Sequence, residues 1–355
     1  MQFNYIIIGQ GICGTWLSYY LQKEGRSVLV IDNALPNAAS HIASGIINPV
    51  TGRRAVATWM IDDLLPFAWE AYTELGNFLG QECISQKNII AFPAAPDMKE
   101  AYQKRMVEEN GFIKNISAQK ENELKNIFSF IFSCFEIDPV YLINLHPLLH
   151  AYREKLKSGN CLLEEAFDEK YLYVKDEGVE YKNISAQKII YCNGIHAYSS
   201  PYWKNLPATY IKGEALIAEI KYLHPGNIYK PGALTIAPWY NNLWWIGSSY
   251  ENDFTYDKPS AKFLKQKQQE LSMYMKTEVK IADHISSVRP ASVERRPFVG
   301  LHPNHPQTGI LNGMGTKGCS LAPWFAKQFA RYLVSGDPAD PQADIKRFGR
   351  LLGRT

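Results

Sequence analysis

The sequence predicts an α/β fold with a Rossmann-like nucleotide-binding domain and a second, mostly β-sheet region. Three observations carry this. A glycine turn, Gly9-Gln10-Gly11-Ile12-Cys13-Gly14, joins a β-branched run to an apolar run of helical spacing. The next apolar run ends on an acid, Asp32. Residues 207–282 read mostly as short strands.

The first unit is strand, tight turn, helix, strand, acid. Ile6, Ile7 and Ile8 form a buried strand. Ile12, Cys13, Trp16, Leu17, Tyr20 and Leu21 then give an apolar helix face that stops at Lys23-Glu24-Gly25. Gly9 allows the tight turn, Gly11 lets the backbone approach a pyrophosphate, and Gly14 lets helix and strand pack closely. N–H groups at the helix start face the anion, and Asp32 stands where a carboxylate accepts hydrogen bonds from a ribose. The competing reading is a βαβ unit whose glycines serve packing alone.

Past Asp32 the chain enters a small-residue loop, 38–49, whose Ala, Ser and Gly residues let the backbone lie against a flat ligand. Residues 62–79 read as an aromatic-rich helix. Between 80 and 136 come a polar helix near 97–110 and a strand at 127–132. Asp138-Pro139 is expected to open a helix over 139–157, with Pro139 in its first turn. A strand near 161–165, a hairpin around Asp176-Glu177-Gly178 and a strand over 188–192 that runs into Asn193-Gly194 follow. Residues 210–217 form a strand candidate, and 233–238 with 243–247 flank a hairpin turn at Asn241-Asn242. A helix over 260–276, a strand over 309–312, a glycine-rich turn and a last helix over 321–334, with Pro323 in its first turn, complete the chain.

At 355 residues the chain can bury a large core in one large or two domains. Lys plus Arg number 38 against 35 for Asp plus Glu, a net of +3, too small a field to argue for nucleic acid or membrane as partner. The six cysteines lie apart with no CxxC pair, which favours buried thiols in a reducing compartment over disulfides or a metal site. The first residues read as a strand and not as a signal peptide, and no run reaches the ~18 apolar residues of a membrane span. A cytoplasmic location is the expectation. Lys-Asn-Ile-Ser-Ala-Gln-Lys occurs at 114–120 and again at 182–188, between unrelated flanks, and is read as coincidence.

The order of short motifs resembles the D-amino-acid oxidase and glycine oxidase superfamily of FAD-dependent amine oxidoreductases. Besides the N-terminal fingerprint, the motifs are Asp138-Pro139, the glycine-ended strand at 189–194 and Lys212-Gly213-Glu214. Arg289-Pro290 with Pro297-Phe298-Val299-Gly300, and Gly313 to Gly318 running into Leu321-Ala322-Pro323, complete the set. The resemblance covers most of the chain and is poorest over 80–136 and 218–282, where the family builds its substrate chamber. It implies an FAD-binding domain from 1–75, 138–206 and 284–355, interleaved with a mostly antiparallel β-sheet substrate domain from 76–137 and 207–283. It implies FAD held by Gly9, Gly11, Ile12, Cys13, Gly14, Asp32, Asn33, Ser40, Ala43, Ser44, Gly45, Ile46, Phe167, Asn193, Gly194, Gly315, Thr316, Lys317, Gly318 and Cys319. The implied reaction is oxidation of the C–N bond of a small amino acid or carboxylate-bearing amine, with hydride passing to flavin N5.

Arg289 matches the family's carboxylate-binding arginine, since a guanidinium holds a carboxylate through two parallel charge-assisted hydrogen bonds. An Arg289–Glu294 salt bridge is the structural alternative. Lys317, ahead of the last helix, would add charge to free N–H groups that stabilise negative charge on the pyrimidine end of reduced flavin; otherwise it is a solvated turn residue. Arg53 and Arg54 either meet an acidic substrate or pair at the surface, and Arg295 and Arg296 are read as solvated. Trp239, Tyr240, Trp244 and Trp245 are read mostly as packing. His302 and His305 lack a third ligand, and His146 and His150 read as packing or capping residues, so no metal is predicted. Two other functions compete: the oxidase that trims carboxymethylaminomethyl-uridine in tRNA, which Tyr229-Lys230-Pro231, 245–250 and Gly313 to Gly318 resemble, and a flavin-retaining binding protein without turnover.

Overall fold

The computed structural model describes residues 1–108 and 111–353. The chain separates into two compact units, one of 1–43, 145–211 and 288–355 and one of 44–144 and 212–287. Residues 44–75, grouped by resemblance with the nucleotide-binding pieces, thus lie in the second unit. The crossings at 211 and 287 fall inside two long strands, Ala208–Ile220 and Val279–Ser292.

The first unit is built on a mixed sheet. Gln2–Ile8 runs parallel to Val28–Ile31 on one side and to Ile184–Tyr191 on the other. Leu162–Leu163 extends the sheet beyond Val28–Ile31, also parallel. Beyond Ile184–Tyr191 lie the antiparallel hairpin Leu172–Lys175/Gly178–Tyr181 and the parallel strand Thr308–Asn312. Ile6, Ile8, Leu29, Ile31, Ile189 and Ile310 come from neighbouring strands and share one buried cluster with Phe298 and Phe348. Helices Ile12–Lys23 and Gly318–Ser335 pack against each other.

The second unit carries an eight-stranded sheet. With 279–287 at the edge beside 212–220, the order from 212–220 runs through Trp244–Gly247, Thr235–Pro238, Ile228–Pro231, Ile89–Phe92 and Phe135–Ile137 to Ile113–Asn115. Every pairing along it is antiparallel except Ile228–Pro231 with Ile89–Phe92. Successive residues point to opposite faces: Tyr229, Ile236 and Ile246 join one core, while Ile89, Ala91, Ile228 and Ala237 join another. Asn241 and Asn242, at φ 58 and 57, take the left-handed conformations that a tight hairpin turn demands.

Several expected elements differ. Residues 127–132 form no strand: Phe128 is held by an isolated bridge to Met275 and plugs the core, while Ile131 stays 91% exposed. The strand here is Phe135–Ile137. The helix expected over 139–157 is Leu145–Ser158. Asp138 does not cap it, because its carboxylate accepts from Lys114 Nζ at 2.6 Å and Gln86 Nε2 at 2.8 Å. Tyr141–Ile143 forms a strand instead, and Pro147 takes the first-turn place expected for Pro139. The last helix begins at Gly318, so Pro323 is its sixth residue and lies past the first turn. Part of the 38–49 loop is a short helix, Ala39–Ile42, and the polar helix is Pro96–Glu108; its expected residues 109 and 110, like 354 and 355 of the last segment, lie outside the described residues.

Candidate active site

In the first unit two helix N-termini meet. A Cβ on Gly318 would lie 3.5 Å from Ile12 Cγ2, so the starts of Ile12–Lys23 and Gly318–Ser335 are adjacent. First-turn N–H groups have no intrahelical acceptor, and each helix presents its positive end. Ile12 N–H donates to Ser40 Oγ at 3.0 Å. Cys13 and Cys319 stand at these two starts; burial pushes both thiols up to about 12, so they are neutral.

The glycines of the turn have different reasons to be glycine. At Gly14 a Cβ would sit 1.8 Å from Gly9 O, so packing alone excludes any side chain. Gly11 has an ordinary φ of −73°, and a Cβ there would meet only the Ser40 side chain, at 3.1 Å from its Oγ. Neither backbone conformation nor core packing demands glycine at 11. What the glycine keeps is room beside the Ser40 hydroxyl at a helix N-terminus, where an anion is favoured.

Asp32 follows the strand Val28–Ile31, and Asn33 comes next. Asp32 Oδ2 accepts from Arg153 Nη1 at 3.2 Å and from Ala34 N–H at 3.1 Å, while Oδ1 takes no hydrogen bond among the described residues. Arg153 also donates to Gln10 Oε1 at 3.3 Å, to the Asp32 carbonyl at 3.2 Å and to Glu164 Oε1 at 3.0 Å. Sequence reasoning missed Arg153. Its signal was a charge on the buried face of helix 145–158, four residues past Leu149 and three before Leu156.

Asn193 and Gly194 follow the strand Ile184–Tyr191. Asn193 Oδ1 and Tyr198 OH are buried without a hydrogen-bond partner among the described residues, which calls for an outside group or water. The missed residue here is Asn312: its Nδ2 donates to Gly194 O at 2.9 Å, and its Oδ1 accepts from Gly313 N–H at 2.8 Å. It thereby ties the glycine-ended strand to the glycine-rich turn. Phe167 is partly buried and stacks on Tyr181 at 5.0 Å. Ala43 ends the first segment of this unit, whereas Ser44, Gly45 and Ile46 belong to the other, where Ile143 N–H donates to Gly45 O at 2.9 Å.

Arg289 lies half-buried on the strand Val279–Ser292. Two residues on, Ala291 bridges Met314, and a Cβ on Gly315 would lie 3.5 Å from that of Ala291. Gly315, Thr316 and Lys317 make one 3-10 turn leading into Gly318. Lys317 is half-buried and no acid pairs with it among the described residues. Burial lowers its pKa from the ordinary lysine value, and Arg296 and Arg295 lower it further, so these two arginines stand close enough to be felt. Glu294 is held by Arg347, with Nε to Oε2 at 3.1 Å.

Other candidates resolve locally. Arg53 pairs with Asp97 at 3.0 Å on the surface. Trp244 and Trp245 are buried on opposite faces of their sheet, and Tyr240 is exposed. His302 Nδ1 accepts from the N–H groups of Asn304 and His305, each at 3.2 Å, which braces a turn, and burial lowers its pKa to about 4. Among the described residues no three His, Cys, Asp or Glu side chains are grouped to hold a metal, and no helix is long and apolar enough to cross a membrane. Lys212, of the basic-Gly-acid segment, meets Glu214 at 3.1 Å, and Glu214 also accepts from Ser260 N–H and Oγ at 2.6 and 2.8 Å. Burial opposes ionisation of Glu214, but these bonds and Lys212 outweigh it and hold the carboxyl below its usual range.

Known proteins resemble this chain in sequence and in fold. An uncharacterised oxidoreductase of Bacillus subtilis, YurR, is 24% identical over 93% of this chain and 95% of its own. Glycine oxidase from Geobacillus kaustophilus shares the fold with a TM-score of 0.76 at 17% identity, over 95% of this chain and 96% of that one. Iminodiacetate oxidase from Chelativorans sp. BNC1 does so at 0.77 and 19%, over the same shares. The model of the DAO family, FAD dependent oxidoreductases, matches residues 4–332. With nearly the whole chain inside that match, this protein belongs to the DAO family of FAD-dependent oxidoreductases.

Proposed function

We propose that this enzyme oxidises the C–N bond of a small amino acid or other amine bearing a carboxylate. The residues fit FAD. The absence of a side chain at Gly11, the paired helix starts at Ile12 and Gly318, and Ser40 suit a pyrophosphate. The unengaged Asp32 Oδ1 suits a ribose hydroxyl, held at a fixed angle because Arg153 grips the other oxygen. Asn193 Oδ1 and Tyr198 OH are buried polar atoms awaiting a partner. Gly315, Thr316 and Lys317 would serve the pyrimidine end, and Cys13 and Cys319 would contribute backbone N–H groups. Bound FAD supplies the hydride acceptor, and the protein supplies position and charge.

The observation that carries the substrate reading is the set of cations gathered where Ala291 bridges Met314. Arg289 shares a strand face with Ala291, and the Glu294 carboxylate, its structural alternative, is engaged by Arg347. A guanidinium held there would fix a substrate carboxylate and so the angle of the neighbouring C–H bond. Lys317 would add positive charge beside the electron acceptor. No general base is assigned, because hydride departure from a neutral amine leaves an iminium ion that water hydrolyses. The test is anaerobic mixing of the yellow holoenzyme with glycine, N-methylglycine and larger amino acids. Bleaching of the flavin absorbance by at least one supports the reading, and failure of all of them counts against it.

A further inference from the structure

Helix Leu145–Ser158 braces the nucleotide side of the first unit at two places. Arg153 on it grips Asp32. Near its start it meets the single turn Ala39–Ile42, which packs against it and carries Ser40. Ser40 Oγ accepts the Ile12 N–H at 3.0 Å, and a Cβ on Gly11 would lie 3.1 Å from the same oxygen, so this turn puts a hydroxyl at the helix start. A four-residue turn forms too few hydrogen bonds to hold itself. Ala39–Ile42 has no side-chain cap at its start and no fully buried residue, so its place depends on what it packs against. There His41 meets His146, ring centroids 6.3 Å apart and planes at 72°, an edge-to-face contact.

The charges set against this pair disfavour a proton on it. His41 is half-buried, and burial lowers its pKa from the ordinary imidazole value; His146 lowers it further, Asp32 raises it and Arg153 lowers it. The pKa of His146 is lowered too, by partial burial and by His150 one turn on. The groups facing the pair are thus His150 and Arg153 from helix Leu145–Ser158 and Asp32 from the end of strand Val28–Ile31. Asp32 supplies the negative charge in this set, and its Oδ2 is already held by Arg153 at 3.2 Å. Neutral rings attract edge to face, whereas two imidazolium ions at this separation repel.

We propose that the His41–His146 contact is a proton-sensitive latch on FAD: with both rings neutral it holds Ser40 at the start of helix Ile12–Lys23, and protonation of the pair in mild acid releases that turn and weakens FAD binding. His41 and His146 act through Ser40 and are positioning residues. The latch rests on the reading that Ser40 and the Ile12 helix start receive the pyrophosphate. Its sign follows from the direction of the two shifts. A histidine whose folded pKa is lowered costs nothing above its unfolded value, about 6.5, and its cost is complete below the folded value. FAD retention is therefore full above the ordinary imidazole range and falls as pH drops through it.

The test dilutes holoenzyme serially at about pH 7.5 and at about pH 5.5, on either side of the imidazole range. Fluorescence of the released FAD gives the dissociation constant, and circular dichroism at each pH reports the fold. The parent is expected to lose at least about tenfold in affinity between the two, the equivalent of one pKa unit. His41→Gln keeps a polar planar end but takes no proton, and should hold that loss to within about twofold. His146→Gln, at an exposed position, should flatten it as well. His224→Gln, exposed in the other unit, should keep the parent's loss. A loss in His41→Gln and His146→Gln equal to the parent's overturns the latch, because the two residues would then only support the fold. A parent that binds FAD as well or better in acid overturns it too, since a protonated His41 would then be attracting the phosphates. Failure of the underlying reading looks different: Ser40→Ala, expected to bind FAD more weakly than the parent at both pH values, would bind it equally well.

Discussion

Arg153 and Lys317 belong to the same unit, the first buried and the second half-buried, but their surroundings differ in charge balance. Arg153 is balanced: Asp32 and Glu164 carboxylates lie at 3.2 and 3.0 Å, and Gln10 and a carbonyl take two more of its N–H donors. Lys317 has no acid paired with it among the described residues and two arginines nearby. The first arrangement is complete within the protein and positions a neighbour, Asp32. The second is complete only when something negative arrives. A chain of marginal stability carries an unbalanced half-buried charge at a cost, and that cost is informative about function.

The comparison can be broken by mutation, most strongly at the balanced end. Arg153→Met leaves the largely buried Asp32 carboxylate without its cation, at a cost of about 3 kcal/mol or more, read as a lower urea midpoint of the apoprotein and weaker FAD retention. Gly11→Ala and Gly14→Ala divide along the same line. Gly14→Ala drives a Cβ into a backbone oxygen and should prevent soluble folding, whereas Gly11→Ala should fold, with its unfolding midpoint near that of the parent apoprotein, yet lose FAD on gel filtration. Equal FAD retention by Gly11→Ala and the parent would remove the anion cradle from the account.

At the unbalanced end the effects are smaller and opposite in sign. Lys317→Met should raise apoprotein stability slightly at neutral pH, because it removes a desolvated and repelled charge. The folded pKa of Lys317 is lowered, so the charged form disfavours the fold at low pH. The stability gap between parent and Lys317→Met should therefore close as pH rises from that lowered value toward the ordinary lysine range. Urea midpoints of both proteins across that window check the sign. The same variant should show a lower flavin reduction potential with FAD still bound. A destabilised Lys317→Met would mean that its charge is balanced after all.

The sequence disclosed the balanced end better than its own chemistry. The glycine turn, the helix it opens and the acid after the second strand follow from period and turn residues, as does the Asn241-Asn242 hairpin. Arg153 was visible only as a charge out of place on an apolar stripe, and Asn312 as nothing at all, since its role depends on strands distant in sequence. The heptapeptide Lys-Asn-Ile-Ser-Ala-Gln-Lys shows why. At 114–120 it contains the end of a strand and the start of helix Ala118–Leu124, capped by Ser117. At 182–188 the same residues leave a turn and enter strand Ile184–Tyr191. Identical local propensity is overridden by the partners each copy finds. The apolar run at 127–132 misleads for the same reason, because burial there is achieved by single side chains and not by a ladder.

The central claim is that Arg289 reads a substrate carboxylate, and the most direct measurement is anaerobic flavin reduction in Arg289→Met and Arg289→Lys. The substrates are N-methylglycine and N-ethylmethylamine, which differ in the carboxylate. The account predicts that Arg289→Met loses about 2 to 5 kcal/mol of transition-state binding for N-methylglycine. Arg289→Lys should lose less, since it keeps charge without the planar fork. FAD content should stay normal, and the poor reduction by the amine lacking a carboxylate should hardly change. Equal losses for both amines would contradict the account, because Arg289 would then be supporting the fold.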